Sequence, residues 1–359
     1  MNSQKIINIL PGVVLALVFC LFSQGINNVI GIELFGTTKS PISTVMIAIL
    51  LGIIMGNAFT PRPGMMIGLD FTQKYILKLG IIFLGIRLSF EEFLKFGTVA
   101  IPLIIICILS VLILIKLLIK KVPISSKMSY LIAIGTSVCG ATAIVAVAPI
   151  IEAKKTEVAY AIANITLFGV IAMLVYPYFV EWYFYGEPVM AGLFLGTAIH
   201  ETSQVAAAGL IYDQQFNSPE TLNVATVTKL IRNTFLVIMV PLFGFLYNRG
   251  KVKGKNHSIF SIFPYFVLGF IGMIFVRNIG DQIFTIENSN YEFWITLINY
   301  TKSLATVFLT MAMAAVGISI NLNELKSMGY KPFVVGLIAA VTVGLVSILS
   351  IEFYTNFLN

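Results

Sequence analysis

Residues 196–204 read GTAIHETSQ and lie in the middle of an apolar segment that extends from about residue 187 to 211. A bilayer-spanning helix needs about 20 mostly apolar residues, and lipid cannot hydrogen bond the backbone that is freed where such a helix breaks. An ionisable pair such as His200 and Glu201 is costly at that depth unless it is paired or wetted. The stretch therefore predicts a discontinuous membrane helix whose polar centre is enclosed by protein.

The whole chain has the composition of a membrane protein. Of its 359 residues, 58% are hydrophobic and only 11% are charged, against roughly 25% charged residues in a soluble domain. These values exclude a water-soluble globular protein, a disordered chain and a nucleic-acid binder. We predict an all-α polytopic membrane protein in a lipid bilayer, a single domain over residues 1–359 with about 9–11 transmembrane helices. The candidate segments are approximately 6–24, 41–59, 72–89, 97–119, 128–151, 157–180, 187–211, 221–247, 259–280, 294–319 and 332–352.

The net charge of +7 carries information about membrane topology, because Lys and Arg collect in cytoplasmic loops. The loop 248–258 is basic without an acidic residue, and the loops on either side of it in the chain are acidic. This pattern predicts a cytoplasmic N-terminus and an external C-terminus. Segment 128–151 lies between two basic loops and segment 187–211 between two acidic ones. Each of these two segments either crosses the membrane or re-enters on its own side, and the charges leave both alternatives open.

Two pairs of stretches indicate an internal repeat. Residues 135–142 (GTSVCGAT) align with 196–203 (GTAIHETS), and residues 85–92 (GIRLSFEE) align with 317–324 (GISINLNE). Discontinuous helices in two inverted halves are typical of secondary transporters, whose site lies near the membrane midplane. The core elements are then expected around 128–180 and 187–247, with scaffold helices from the remainder. Crossed breaks would bring residues near 140 and near 201 within roughly 10 Å of each other.

The helices that follow the two breaks extend the first alignment. Val158-Ala159 and Val224-Ala225 occupy matching positions, and we expect Pro177 and Pro241 to end the two helices. The other interpretation of both breaks is a plain kink packed by small residues.

The backbone N–H groups at a broken helix, together with the positive end of a half-helix, attract anions. His200 and Glu201 are the candidate ion-coupling residues, since both can exchange protons; a purely structural hydrogen bond between them is the alternative. Lys229 and Arg232 lie three residues apart on one helix face, where they attract an anion, neutralise Glu201 or reach the headgroups. Lys302 lies about 12 Å past Trp294 and is expected to snorkel. The candidate substrate-binding residues are Ser137, Cys139, Gly140, Thr142, Asn164, Thr202, Ser203, Gln204, Lys229, Arg232 and Asn233, with Thr166 a further candidate.

Neither a cofactor nor a metal site is expected. The chain has two histidines, His200 and His257, and its three cysteines lie in separate apolar stretches, so neither a multi-histidine site nor a disulfide framework is indicated. No stretch resembles a nucleotide-binding loop. An intramembrane enzyme stays an alternative, because Ser137 or Cys139 could act as a nucleophile if His200 served as the base.

Three stretches together resemble the YeiH-type family of bacterial membrane proteins, also named as sulfate exporters. They are residues 135–144 (GTSVCGATAI), 196–209 (GTAIHETSQVAAAG) and 229–234 (KLIRNT). Thr202 and Ser203 depart from the more apolar residues expected after the His-Glu pair. The family looks related to the superfamily of bile-acid symporters and cation–proton antiporters. That resemblance implies a scaffold domain beside a core domain with two discontinuous helices.

The function expected from these observations is secondary active transport of a small anion, such as sulfate, by alternating access with proton or sodium coupling. A passive anion channel would have a similar lining and stays an alternative. A second copy of the chain, in a homodimer, is a candidate partner, and no nucleic acid is expected.

Overall fold

The computed structural model describes residues 3–34, 40–59, 61–118, 124–247, 263–287, 290–323 and 330–358. In these ranges the regular structure is entirely helical, and seven helices are long and apolar enough to cross a membrane. Two shorter apolar helices, Thr44–Ala58 and Pro188–Ala198, accompany them. The chain is an all-α polytopic membrane protein embedded in a lipid bilayer, as the composition predicts.

Fifteen α-helices build the described ranges. The first seven are α1 (Ser3–Asn28), α2 (Thr44–Ala58), α3 (Pro63–Phe71), α4 (Leu77–Leu84), α5 (Phe90–Leu118), α6 (Ser126–Ser137) and α7 (Ala141–Val147). The next five are α8 (Lys155–Tyr183), α9 (Pro188–Ala198), α10 (Thr202–Phe216), α11 (Pro219–Thr234) and α12 (Leu236–Tyr247). The last three are α13 (Phe266–Ile283), α14 (Tyr291–Ser319) and α15 (Tyr330–Leu358). Short π-helical pieces follow α1 (Val29–Leu34) and join α3 to α4 (Thr72–Ile76), and a 3₁₀ turn (Gly85–Arg87) ends α4.

Both segments that were predicted to break are discontinuous. Residues 138–140 separate α6 from α7, and residues 199–201 separate α9 from α10. The helix before the first break, α6, has a capped start. The Ser125 hydroxyl accepts a hydrogen bond from the Met128 N–H at 3.1 Å.

The two prolines do not end their helices, so that expectation was wrong. Pro177 lies inside α8 and Pro241 inside α12. A transmembrane helix tolerates proline because neighbouring groups satisfy the carbonyl that loses its partner. The interruption after α11 lies instead at Phe235, directly after Asn233 and Thr234. Sequence periodicity missed it because the apolar run continues through that position.

The chain divides into two compact units. The first comprises residues 1–93, 210–219 and 265–322, and the second comprises residues 94–209, 220–264 and 323–359. Most of the two predicted core stretches, 128–180 and 187–247, belongs to the second unit.

Close helix contacts through glycine hold the first unit together. A Cβ at Gly52 on α2 would lie 2.6 Å from the Ala314 carbonyl oxygen on α14, and a Cβ at Gly68 on α3 would lie 2.1 Å from the Ile9 carbonyl oxygen on α1. Backbones that approach this closely gain van der Waals contact, which replaces the missing hydrophobic driving force in lipid. These helices therefore pack as a rigid group.

The second unit holds both broken helices, and small residues again allow close packing. A Cβ at Gly196 on α9 would lie 2.6 Å from the Thr228 Cβ on α11. A Cβ at Gly135 on α6 would lie 2.1 Å from the Ile165 Cδ1 on α8. The last turns before both breaks are thus held against α8 and α11, which positions the freed backbone groups.

Candidate functional site

The two breaks, residues 138–140 and 199–201, meet inside the second unit. We call the place where they meet the crossing. The Glu201 Oε1 atom lies 3.4 Å from the Ala141 backbone nitrogen and accepts its hydrogen bond. A Cβ at Gly140 would lie only 2.4 Å from the Glu201 Cγ atom. The expected closeness of residues near 140 and near 201 is therefore confirmed.

Lys229 on α11 binds backbone carbonyl oxygens of both breaks. Its ammonium donates to the carbonyl oxygen of Val138 at 3.1 Å, of Ile199 at 2.8 Å and of His200 at 2.5 Å. The side chain has no exposed surface. An ammonium group has three donors, so all of them are used by the backbone.

Arg232 lies one turn further along α11 and also binds backbone carbonyl oxygens, which belong to the last residues of α6 and α9. Its Nε donates to the Ser137 carbonyl oxygen at 2.8 Å and one terminal nitrogen donates to the Thr197 carbonyl oxygen at 2.5 Å. Its other terminal nitrogen donates to the Thr136 carbonyl oxygen. The last carbonyls of a helix have no partner within the helix and carry its negative dipole end. The two buried cations therefore neutralise the ends of α6 and α9 together.

The contacts of the two cations follow the repeat. In the alignment of 135–142 with 196–203, Thr136 matches Thr197 and Val138 matches Ile199. Arg232 binds the first matching pair of carbonyls and Lys229 binds the second pair. When approximate two-fold symmetry relates two repeats, equivalent atoms of both repeats can contact the same side chain. The packing thus supports the repeat that was inferred from sequence.

Glu201 is more accessible than the two cations at the crossing. Its side chain is half-buried, whereas Lys229 and Arg232 are fully buried. Besides the Ala141 N–H, its Oε1 atom accepts from the Thr166 hydroxyl on α8 at 3.4 Å. Both bonds are long for hydrogen bonds to a carboxylate, which are commonly 2.7–2.9 Å for N–H donors. The carboxylate is therefore held loosely enough to exchange partners.

Gln204 ties the start of α10 to α8. Its Oε1 accepts from the Glu201 backbone N–H at 3.3 Å, and its Nε2 donates to the Thr166 carbonyl oxygen at 3.2 Å. Gly169 makes room for this amide, because a Cβ there would lie 1.9 Å from the Gln204 Oε1 atom. Gly169 was not singled out from the sequence, where it is one of 28 glycines in the chain.

Asn233 and His200 each leave a buried polar atom unpartnered. The Asn233 Nδ2 donates to the Thr202 hydroxyl at 2.9 Å, while its Oδ1 has no hydrogen-bond partner. The His200 Nδ1 is likewise buried without a partner, and the Glu201 carboxylate bonds to Ala141 and Thr166 rather than to the imidazole. An orphaned buried polar atom costs about 1–3 kcal/mol, so both groups are candidates for contact with a solute or water.

Other candidate residues are placed differently around the crossing. The Ser137 hydroxyl donates back to the Ala133 carbonyl oxygen at 2.6 Å, so only its backbone faces Arg232. The Asn164 amide donates to the Pro332 carbonyl oxygen at 2.7 Å and belongs to the packing of α8 against α15. Cys139 and Ser203 are buried beside the two breaks, and Thr142 is exposed on α7.

Gly140→Ala is expected to damage the crossing more than the same change at Gly186. Both glycines have a positive φ, +69° and +78°, that a side chain disfavours. A Cβ at Gly140 would also strike Glu201, whereas a Cβ at Gly186 has nothing within 4 Å. We expect Gly186→Ala to lower stability by about 1–2 kcal/mol and Gly140→Ala to lower it further. Equal melting temperatures for the two variants would show that Glu201 does not fill this space.

These helices and this site define a polytopic membrane protein in which two broken helices meet around buried charges. The family model described as Conserved hypothetical protein 698 matches residues 11–336, and the chain belongs to this family. It is 33% identical over 337 residues to a UPF0324 membrane protein of Streptococcus agalactiae serotype V, covering 94% of each chain. It is 32% identical over 321 residues to a UPF0324 membrane protein of Fusobacterium nucleatum subsp. nucleatum, covering 88% of this chain and 91% of the relative.

The UPF0324 inner membrane protein YeiH of Escherichia coli strain K12 is 31% identical over 306 residues, covering 82% of this chain and 81% of that protein. The resemblance to the YeiH-type family is therefore confirmed. The names of these relatives describe membrane proteins.

Proposed function

We propose that the protein is a secondary active transporter of a small anion that works by alternating access. The observation that carries this proposal is the meeting of the two breaks at Glu201 and Ala141, 3.4 Å apart. A bilayer protein exposes broken backbone only where it lines a cavity or is enclosed by protein. Two discontinuous helices that cross are the arrangement in which secondary transporters bind solute and coupling ion.

The charges at the crossing favour an anion. Lys229 and Arg232 are both fully buried, and Glu201 is the acidic side chain that reaches the same two breaks, which leaves one positive charge in excess. The backbone N–H groups in the first turn of α10 add their positive dipole end. The Thr202 hydroxyl lies at that turn, where it accepts from the Asn233 amide and can donate its own hydrogen to a ligand. A small oxyanion such as sulfate matches this set of donors.

The cations and the carboxylate have different tasks in this mechanism. Lys229 has no free donor and no exposed surface, so it acts through its field and by holding the breaks. Glu201 is reachable and loosely bound, so it takes up and releases the coupling proton or sodium ion. Binding an ion at Glu201 removes a negative charge next to the anion, which couples the two binding events through electrostatics.

Two other functions use the same residues less well. An intramembrane enzyme would need Ser137 or Cys139 activated by His200, but the Ser137 hydroxyl donates to the Ala133 carbonyl oxygen and the buried His200 Nδ1 has no hydrogen-bond partner in the described part of the chain. A passive anion channel has no need of a carboxylate in its path. We place the protein in the bacterial plasma membrane as one domain, with the N-terminus in the cytoplasm and the C-terminus outside.

Transport by the purified protein tests the proposal. Proteoliposomes with an imposed pH gradient should accumulate labelled sulfate or another small anion above the external concentration, and a protonophore should abolish the accumulation. A second series with a sodium gradient identifies the coupling ion. Anion flux that only equilibrates the two sides under both gradients would assign a channel, and no flux of any anion above protein-free liposomes would overturn the transport proposal.

A further inference from the structure

A cavity of about 570 Å³ lies in the first unit, between the end of α13 and the start of α14. Three charged side chains border it directly, those of Arg277, Asp281 and Glu287, and the rings of Phe284 and Tyr291 lie beside them. Both helices are long and apolar enough to cross a membrane. The segment that joins them therefore lies at a membrane surface, where lipid headgroups are found.

Arg277 is fixed at this cavity and keeps a donor free. Its Nε donates to Asp281 at 2.6 Å, and one terminal nitrogen donates to the Ile86 carbonyl oxygen at 3.2 Å. Its second terminal nitrogen has no hydrogen-bond partner among the described residues. A guanidinium group has five N–H donors in a rigid plane, and this side chain is one quarter exposed. Arg277 can therefore bind an oxyanion without giving up its present contacts.

The wall that carries Asp281 is rigid. Its second carboxylate oxygen accepts from the Trp294 indole N–H at 2.8 Å. The Trp294 ring stacks on Phe284 with 5.6 Å between the ring centroids, and a Cβ at Gly280 would lie only 2.1 Å from the same indole. Groups that are held in place before binding lose little entropy when a ligand arrives. Arg277 and Asp281 are thus a preformed part of the cavity.

Glu287 gives the cavity a second kind of charge. It is exposed and forms no salt bridge among the residues that the structure describes. Arg277 contributes one positive charge, and Asp281 and Glu287 contribute two negative ones, so the charged lining has one negative charge in excess. A purely anionic ligand is disfavoured by that balance. A ligand with an oxyanion beside an ammonium group matches both the free guanidinium nitrogen and the free carboxylate.

We propose that this cavity binds a phosphoethanolamine group, in which a phosphate stands next to a primary ammonium. Arg277 donates to the phosphate oxygens, since guanidinium and phosphate form strong charge-assisted hydrogen bonds. Glu287 accepts from the ammonium, and the charge of Asp281 adds to the attraction. The group is carried either by phosphatidylethanolamine of the surrounding bilayer or by a free phosphoethanolamine. The site belongs to the first unit, whereas the crossing belongs to the second.

Glu287→Gln tests this site, because no ion pair of the described structure is lost with that carboxylate. The melting temperature of the purified protein is measured in mixed micelles that contain phosphatidylethanolamine or phosphatidylcholine at the same mole fraction. A ligand that binds the folded state raises that temperature. Phosphatidylethanolamine should raise it more for the wild type, because the amine of phosphatidylcholine has no N–H to donate. Glu287→Gln should lose at least about half of this difference.

Glu292→Gln is the matched control. Glu292 is exposed in the first turn of α14 and does not border the cavity, so its replacement should leave the difference between the two lipids unchanged. A wild-type protein that responds equally to both lipids would overturn the site. A Glu287→Gln protein that keeps the whole difference would also overturn it, as would a phosphatidylglycerol response as large as that to phosphatidylethanolamine, which would indicate simple anion binding.

Soluble phosphoethanolamine, added to the protein in detergent, distinguishes the two sources of the group. A rise in melting temperature that depends on Glu287 assigns a free solute. A response that depends on Glu287 and is confined to phosphatidylethanolamine assigns the lipid headgroup; either result supports the site. Since the readout is binding, it stands even if the proteoliposomes show no transport, and the two proposals fail independently.

Discussion

Glu201→Gln should reduce anion transport driven by a pH gradient by about tenfold or more, while the level and melting temperature of the protein stay near those of the wild type. The amide keeps the size of the side chain and an oxygen that can accept from Ala141, but it cannot take up a proton. The two hydrogen bonds of the carboxylate are both 3.4 Å long. Little stability is therefore expected to depend on its charge.

Glu157→Gln is the matched control for this substitution. Glu157 accepts from the Ser125 hydroxyl at 2.5 Å and from the Lys154 backbone N–H at 2.8 Å, where it caps the start of α8. Its replacement should lower the melting temperature and leave the dependence of transport on the pH gradient unchanged. If Glu201→Gln instead behaves like Glu157→Gln, the residue is part of the scaffold. Normal gradient-driven transport by a stable Glu201→Gln protein would remove its coupling role.

Lys229→Met is expected to cause the largest loss of stability among these substitutions. It leaves the carbonyl oxygens of Val138, Ile199 and His200 buried without the donor that now binds all three. Each unsatisfied buried group costs about 1–3 kcal/mol, so the melting temperature should fall by about 10 °C or more. Thermal unfolding in detergent measures the effect, and Lys78→Met at an exposed position serves as the control.

Lys229→Ala separates the loss of the bonds from a general failure to fold. The shortened side chain leaves a space lined by the same carbonyl oxygens, which a small alkylammonium ion can enter. Ethylammonium should then raise the melting temperature of Lys229→Ala and leave that of Lys78→Ala unchanged. Lys229→Met with the melting temperature of the wild type would contradict the role assigned to this ammonium.

The positions of the two breaks could be predicted from sequence because glycine and polar residues interrupt apolar runs that are otherwise long enough to span. Their meeting followed from the similarity of 135–142 to 196–203. The partners of Lys229 and Arg232 could not be predicted. A backbone carbonyl is present at every position of the chain, so nothing in the sequence marks the ones that a helix break leaves open.

Local hydrogen bonds account for other differences between prediction and structure. Ser137 is a plausible ligand by residue type, yet its hydroxyl bonds four residues back to Ala133, as serine in a helix often does. Asn164 and Thr166 are neighbours in sequence, but Asn164 binds Pro332 and Thr166 contacts Glu201. Two residues that lie two apart on a helix point in different directions, and their partners depend on which helices surround them.

Gly140 and Glu201 are equivalent positions of the repeat, and they contact each other where the two breaks meet. Only one of the two can carry a side chain there, so the proposed transporter has one central carboxylate and carries one proton per cycle. One proton cannot neutralise a divalent anion, and each cycle with sulfate would then move net charge across the membrane. The work done by the membrane potential is about 2.3 kcal/mol per elementary charge at 100 mV. In a bacterium whose interior is negative, that work would drive the anion outward, whichever way the proton moves.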